Sequence, residues 1–392
     1  MTAAPTVMHV ATTDMSLELL LGPQLSAFAG AGYHVVGVSA PGPYVEGLRA
    51  RGIDHVPLRH ATRAMSPRDD ARAAGELVAL FRRCRPAIVH THNPKTGVYG
   101  RLAARLTRVP AVVNTVHGLY ARAEDPLARR VAVYAAERVA AACSDAELVQ
   151  NEEDLAVLRR LGVPRDRLVH LGNGIDLARF DRARFDSAAA ARAWRTLGGE
   201  APDHVVVGAV GRLVAEKGYG ELFDAARSLP PEVRVGVIGS AEPDKRDAIG
   251  PDEMRRAGAA GIRFLGERHD VDWLYTGMDV FVLASHRERM PRAAMEAAAM
   301  GVPTVATDVR GCRQVVEHGV TGLLVPPRDP AAIAAAILRL AEDASLRATM
   351  ASAARDRARR LFDQQRCIDT TLAVYERLLE RRGIAAPAPA SS

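Results

Sequence analysis

The chain has 392 residues, 48% apolar and 25% charged, a length that implies two or three domains and a composition that excludes disordered and fibrous classes. Its net charge is +6, yet the basic residues are dispersed among acidic ones, which excludes the clustered footprint of a nucleic-acid binder. No run approaches the roughly 20 consecutive apolar residues of a membrane span.

The opening "MTAAPTVMHVATTDM" lacks a basic region followed by an apolar run, so a cytoplasmic location is expected. Residues 6–11, "TVMHVA", read as a strand followed by a helical pattern to Gly32, and "HVVGVSA" at 34–40 as the next strand. Further strands are expected at "AIVHTH" (87–92), "AVVNTVH" (111–117) and "LVHLGN" (168–173). Short β-branched runs alternating with amphipathic stretches predict parallel strands with helices on both faces. The rhythm lapses over 181–203 and restarts at "HVVVGAVG" (204–211), "VRVGVIGS" (233–240), "IRFLG" (262–266), "VFVLAS" (280–285) and "PTVATD" (303–308). Near-continuous apolar strands of this kind are buried on both faces. The expected architecture is therefore α/β, with two doubly wound parallel sheets. It comprises a first domain over 1–180, a connector at 181–203, a second domain over 204–362, a helix at 363–383 and an unstructured tail at 384–392. Four cysteines, Cys84, Cys143, Cys312 and Cys367, are scattered without paired spacing, which argues against a disulfide framework or a zinc site.

In open parallel sheets ligands bind beyond the carboxyl ends of the strands, and the chemistry-bearing residues collect in the loops that follow them. "VHTHNPKTGVYGRLAAR" places His90, His92, Asn93 and Lys95 at a strand end and helix start. His90 and His92 share a strand face, but a third ligand at motif spacing is lacking, so no metal is expected. His117 ends the next strand, either as a hydrogen-bonding or acid/base group or as a structural histidine. Asn173 lies in an Asn-Gly turn where the domains join.

"GRLVAEKGYGEL" follows the first strand of the second half and carries Arg212 and Lys217. The chain has only three lysines, Lys95, Lys217 and Lys245, so a compact ammonium at 217 is a distinctive choice. Two cations beside a helix start make a diphosphate site; the plainer reading pairs Lys217 with Glu216. After "VFVLAS" come Ser285, His286 and Glu288, with Pro291 suited to the first helical turn and Gly301 to the helix stop. Glu296 then lies about 7–8 Å further along the helix. Two carboxylates along one loop and helix are badly placed to clasp a glycosidic bond, and suit hydrogen bonds to hydroxyls at two points of an extended ligand. The chain has no Gly-x-Gly-x-x-Gly after its first strand, no Walker A loop, no Gly-x-Ser-x-Gly elbow and no strand-end Asp-x-Asp. A diphosphate held without metal must be neutralised by arginine, lysine and a helix terminus.

Taken together, "TVHG", "GNGIDLARF", "GRLVAEKG", "FLG", "SHRERMPRAAMEAAAMGVPTVATDVRG" and "GVTGLLVP" resemble family 4 of the retaining glycosyltransferases, over about residues 6–380. The resemblance implies the GT-B architecture, two Rossmann-like domains facing across a cleft with a C-terminal helix crossing back onto the first. It implies that Arg212 and Lys217 hold the donor diphosphate, that Glu288 and the backbone after it (Arg289, Met290, Pro291) bind the donor sugar, and that Glu296 binds the ribose. The base would meet the backbone around Arg263, Phe264 and Leu265, His117 would lie near the transferred sugar, and Asn173 would line the donor site. It further implies a metal-independent enzyme without cofactor. Its donor would be a UDP-hexose or UDP-N-acetylhexosamine, and its acceptor a polyprenyl-diphosphate-linked saccharide of a cell-surface polysaccharide. Alternatives are a soluble natural-product acceptor, a nucleotide-sugar 2-epimerase and a non-catalytic GT-B protein. Arg101, Arg105 and Arg108 are candidates to meet a lipid diphosphate or the inner membrane face; solvated arginines are the plainer reading. Two departures stand out. Arg289 occupies a position where many members have glycine, and a turn requiring φ > 0 there would be strained by about 1–2 kcal/mol. A glycine-rich turn after the first strand is replaced by "TTDMSLELLLG", where Thr13, Asp14 and Ser16 are the candidates, with His92, Asn93 and Lys95, to line the acceptor side.

Overall fold

The computed structural model describes residues 4–121, 125–186, 204–242 and 247–387, together with Ala189, Trp194 and Lys245. By contacts the chain forms two units, one running to Gly172 and resuming at Arg366, the other spanning Asn173–Gln365.

The first unit is built on strands β1 (Thr6–Thr13), β2 (His34–Ala40), β3 (Asp54–Pro57), β4 (Ile88–Thr91), β5 (Ala111–Val116), β6 (Ala146–Val149) and β7 (Leu168–His170). They pair in the order β3-β2-β1-β4-β5-β6-β7, every pair parallel. Strand alternation explains two cores on two faces: Val7 and Ala11 of β1 pack on one side, Met8 and Val10 on the other. The helices are α1 (Gly22–Gly30), α2 (Val45–Ala50), α3 (Pro67–Cys84), α4 (Pro94–Leu106), α5 (Leu127–Ala142) and α6 (Glu152–Arg160). The stretch between β1 and α1, Ser16–Leu21, is a π-helical turn, a geometry that periodicity alone does not announce.

The second unit holds β8 (Val205–Val210), β9 (Val233–Ile238), β10 (Arg263–Phe264), β11 (Val280–Leu283), β12 (Thr304–Thr307) and β13 (Gly322–Val325). Their order is β10-β9-β8-β11-β12-β13, again all parallel. Its helices are α7 (Tyr219–Ala226), α8 (Pro251–Ala259), α9 (Val271–Tyr275), α10 (Arg292–Ala299), α11 (Arg310–Val315), α12 (Pro330–Glu342) and α13 (Ala344–Leu361). The expected pair of doubly wound sheets is present. The last described helix, α14 (Gln364–Glu380), belongs mostly to the first unit. It buries Ile368, Val374, Tyr375, Leu378 and Leu379 in the core that contains Val7, Phe28 and Tyr33.

Residues 173–180, expected with the first domain, pack instead with the second. Ile175 and Phe180 sit in its core beside Phe362, and Ile175 exchanges backbone hydrogen bonds with Phe362 and Gln364. Gly174 permits that approach, since a Cβ there would come within 2.4 Å of the Gln364 nitrogen. Much of the expected connector lies outside the described residues, but Trp194 is buried and its indole N–H donates to the Leu274 carbonyl at 2.9 Å. In the tail expected at 384–392, residues 388–392 likewise lie outside the described residues.

Candidate functional site

Both sheets reverse their winding once, between β1 and β4 in the first unit and between β8 and β11 in the second. Such switch points open a crevice at the strand ends. The candidate residues of each unit gather there.

In the second unit β8 runs into a turn, Ala215–Lys217, that ends on Gly218 at φ +70°. Only glycine fits, because a Cβ at 218 would lie 2.0 Å from the Ala284 carbonyl oxygen. That approach sets the β8 loop directly against the end of β11. Lys217 Nζ lies 2.5 Å from Glu288 Oε1, and the Ser285 hydroxyl donates to the same oxygen at 2.7 Å. The partner of Lys217 is thus Glu288, across the switch point, rather than its neighbour Glu216. Arg212 is half-exposed and bonds Glu242 at 3.2 Å, a carboxylate shared with Lys245 at 2.6 Å. The His286 ring bonds Glu221 of α7 at 2.7 Å and its backbone N–H donates to the Glu216 carbonyl. The Tyr219 hydroxyl donates to the Gly211 carbonyl at 2.9 Å, and burial, reinforced by Glu288, pushes its phenol up.

Glu296 is a half-buried residue of α10, not an exposed one. The Tyr275 hydroxyl donates to it at 3.2 Å. Burial pushes the Glu296 carboxyl up, while Arg292 and Tyr275 oppose the shift. Pro291 stands at the helix cap and Gly301 closes the helix at φ +70°. Phe264 meets Phe223 edge-to-face at 5.7 Å and Leu265 packs against the core, so these two side chains are structural; Arg263 is exposed. The Asn173 side chain accepts from the Gly174 N–H at 3.0 Å and serves its own turn.

Arg289 does not strain its loop. Among the described non-glycine residues positive φ is confined to Arg85, Asn93, Arg108 and Arg328, so this turn has no need of glycine. The glycine that matters is Gly311, which the sequence reading did not single out. Its N–H donates to the Glu288 carbonyl at 3.2 Å, and a Cβ on it would lie 2.6 Å from the Arg289 carbonyl. Arg289→Gly is accordingly expected to lower stability, by roughly 0.5–1 kcal/mol, through added freedom of the unfolded chain. Thermal unfolding checks the sign, and a rise in Tm would mean that the arginine does strain the loop.

In the first unit β1, β4 and β5 bring their histidines together. His92 bonds His9 and His117, each at 3.1 Å. His9, unnoticed in the sequence reading, joins His90 and His92 so that one nitrogen from each ring lies within 4.8 Å of the others. This is the third imidazole that motif spacing lacked. Thr13 and Ser16 hydroxyls bond each other at 3.1 Å. Asn93 adopts φ +65°, ψ 154° and its side chain accepts from the Thr12 N–H at 3.0 Å, a strained conformation of the sort found at functional loops.

Three candidates are engaged elsewhere. Asp14 accepts from the Tyr44 N–H at 2.8 Å and abuts Gly42, so it secures the loop after β2. Lys95 forms an ion pair with Asp70 at 2.6 Å and donates to the Thr62 carbonyl, the Thr62 hydroxyl and the Ala64 carbonyl, which occupies the three donors of an ammonium. Arg101 is buried at 1% exposure and bonds Glu147 at 2.6 Å and Glu137 at 2.8 Å. It therefore cannot meet a lipid headgroup. Arg105 and Arg108 are exposed. Beside them lies a surface that periodicity had not flagged. Helix α5 exposes Leu127, Val131 and Val139 at 72%, 58% and 57%, and the adjoining α4 exposes Leu106 at 66%. No helix among the described residues is long and apolar enough to cross a membrane.

The second unit matches, over residues 204–343, the family model described as glycosyl transferases group 1. Residues 24–179 match the model of glycosyltransferase family 4. A D-inositol 3-phosphate glycosyltransferase of Xylanimonas cellulosilytica is 34% identical over 75% of this chain and 73% of its own. An Escherichia coli protein, the UDP-Gal:alpha-D-GlcNAc-diphosphoundecaprenol alpha-1,3-galactosyltransferase, is 28% identical over 70% and 71%. Among solved structures, Anabaena Alr3699/HepE in complex with UDP and glucose superposes with a TM-score of 0.76 at 20% identity, covering 95% of this chain and 100% of that one. With its two Rossmann-like units of the GT-B fold, the chain belongs to glycosyltransferase family 4.

Proposed function

We propose that this glycosyltransferase moves a hexose or N-acetylhexosamine from a UDP-sugar to a polyprenyl-diphosphate-linked saccharide, with retention and without a metal or other cofactor. The observation that carries the reading is the Lys217–Glu288 pair at the second switch point, with Arg212 on the same loop. Lys217 and Glu288 neutralise one another, and a dianionic diphosphate competes with Glu288 for the ammonium. Its arrival frees the carboxylate to accept hydrogen bonds from sugar hydroxyls. Arg212, Lys217 and the start of α7 then face the oxygen on which charge develops. The C1–O bond to the diphosphate breaks while C1 bonds the acceptor oxygen on the same face, and the acceptor proton passes to the leaving phosphate oxygen. No side chain is required as a nucleophile. Glu296 takes the ribose, backbone at Arg263 to Leu265 the base, and His117 the transferred sugar.

Two things favour the lipid-linked acceptor. The E. coli relative is named for a diphosphoundecaprenol substrate, and the contacting α4 and α5 expose Leu106, Leu127, Val131 and Val139, with Arg105, Arg108 and Arg129 exposed on the same part of the chain. Apolar residues at helical spacing with a basic rim suit a peripheral hold on an anionic membrane face. The Xylanimonas relative, named for a small phosphorylated polyol, supports a soluble acceptor as the second reading.

The test supplies UDP-sugars with a polyprenyl-diphosphate sugar in anionic vesicles, or with soluble acceptors, with and without a chelator. Turnover of the vesicle-borne acceptor with the donor's anomeric configuration, indifferent to chelator, is the expected result. Leu127→Ser/Val131→Ser should slow the vesicle-borne acceptor and leave a short-chain soluble analogue unaffected. Chelator-sensitive turnover overturns the metal-free mechanism, and exclusive use of soluble acceptors overturns the lipid reading.

A further inference from the structure

A crevice of about 370 Å³, open to solvent, lies at the amino ends of β11 and β12 in the second unit. Asp279 immediately precedes β11 and Pro303 immediately precedes β12, so the crevice is on the edge of the sheet opposite Lys217 and Glu288. Six residue steps separate Asp279 from Ser285, about 20 Å of extended chain, and the two places are distinct. Three arginines line the crevice, Arg182, Arg347 and Arg355, with a single carboxylate, Asp279. All four are half-buried.

Two of the arginines have structural duties and the third has none. Arg182 donates to the Thr276 carbonyl at 2.9 Å and the Met300 carbonyl at 3.3 Å, closing the ends of α9 and α10. Arg347 donates to the Leu340 and Ala341 carbonyls at 2.6 and 2.7 Å, at the end of α12. Arg355 projects from α13 against Gly301, whose missing Cβ leaves room for its Nη1. Among the described residues its guanidinium makes no hydrogen bond or ion pair. Asp279 does not balance the three. Its Oδ2 accepts from the Val206 N–H at 2.8 Å, and burial pushes its carboxyl up against that bond and the charges of Arg347 and Arg182. Burial pushes Arg182 down, the Arg355 charge adding to the shift and Asp279 opposing it. Like charges held together and partly out of water raise each other's energy.

We propose that this crevice binds the phosphate of a small organic phosphate ester between Arg182 and Arg355. Three guanidiniums less one carboxylate leave two positive charges, and a phosphomonoester brings about 1.5–2 negative ones. Arg355 offers an uncommitted planar fork, the geometry that suits phosphate oxygens. Arg182 spends two of its five N–H groups on carbonyls and keeps the rest. Helix α13 begins at Ala344, which also lines the crevice, so the positive end of its dipole adds to the field. Met278 and Pro303 supply apolar surface for the organic part of the ester. The competing account makes these arginines caps of helix ends and nothing more. It covers Arg182 and Arg347 and leaves Arg355 without a purpose. A dissolved ester and a lipid headgroup share this chemistry, and the experiment separates them.

Titration calorimetry of the full chain with glycerol 3-phosphate is the first arm. Arg355→Ala removes no described bond and should fold as the parent does, which its Tm verifies. It should weaken binding about tenfold or more, the worth of one charge-assisted bond. Asp279→Asn keeps an oxygen for the Val206 N–H, removes the one opposing charge and should tighten binding several-fold. Because Lys217 also attracts phosphate, Lys217→Ala is titrated alongside and should bind as the parent does. The second arm is co-sedimentation with phosphatidic acid vesicles, against vesicles of phosphatidylcholine. Sedimentation that depends on Arg355 assigns a lipid headgroup. Binding of glycerol 3-phosphate that depends on Arg355, with sedimentation indifferent to it, assigns a dissolved ester. If neither probe binds, or if Arg355→Ala binds both as the parent does, the proposal falls. A loss confined to Lys217→Ala overturns it as well.

Discussion

Lys217→Ala is expected to lower kcat by about 10²–10³, the usual loss when one preorganised donor to a developing oxyanion is removed. The ammonium is half-buried, 24% exposed, and its partner Glu288 is 9% exposed, so the charge acts at a site partly withdrawn from water. The loss should fall on kcat more than on KM, because the interaction strengthens as the diphosphate gathers charge. Stability should change little, since Glu288 keeps its bond from Ser285. Lys217→Arg is not a conservative rescue, as a planar fork cannot occupy the space of a point charge wedged against β11. Steady-state kinetics with a UDP-sugar decide the matter, and parent-like kcat in the alanine variant would remove Lys217 from the site.

Arg101→Ala should be the most destabilising of the substitutions considered. The guanidinium bonds Glu147, Glu137 and the Gly97 carbonyl, and Asn114 donates to the second oxygen of Glu147 at 2.7 Å. Glu147 is fully buried, and burial pushes its carboxyl up against the pull of Arg101. Removing the arginine leaves a carboxylate without its counter-charge, at a cost of about 3–5 kcal/mol. For a unit of this size that corresponds to a fall in Tm of roughly 6–20 °C. Arg101→Met/Glu147→Gln should recover much of the loss, because the amide still accepts from Asn114 and carries no charge. If the double variant melts no higher than the single one, the buried-charge account fails.

Arg101 also shows where sequence reading ends. Within "GRLAAR" it looks like one more solvated arginine, since its acidic partners stand 36 and 46 residues further on. Only the fold of α4 against α5 and β6 discloses them. The sheets were legible because a parallel strand covered on both faces must be apolar along its length, and such runs announce themselves. Lys217 and Glu288 were legible one at a time, as charged residues in strand-end loops. Their contact was not, being set by Gly218 closing against Ala284. His90 and His92 drew notice by their spacing of two. His9 sits in "TVMHVA" as a lone histidine in an apolar strand, with nothing local to link it to them. Gly311 was quoted within "ATDVRG", but a glycine chosen for the passage of a peptide 22 residues earlier leaves no local mark.

The place of α14 has a consequence for how the molecule is made. Asn173–Gln365 form one uninterrupted unit, so everything that unit needs has been synthesised before Arg366 is added. The first unit is different. Val7, Phe28 and Tyr33 share a core with Val374, Tyr375 and Leu379, residues added more than 300 positions later. During synthesis at about 5–20 residues per second, the earlier-made half waits tens of seconds with part of its apolar face uncovered. The usual order of domain completion is reversed. A chain ending at residue 365 and released from the ribosome should display a protease-resistant second unit joined to a first one that is still open to cleavage.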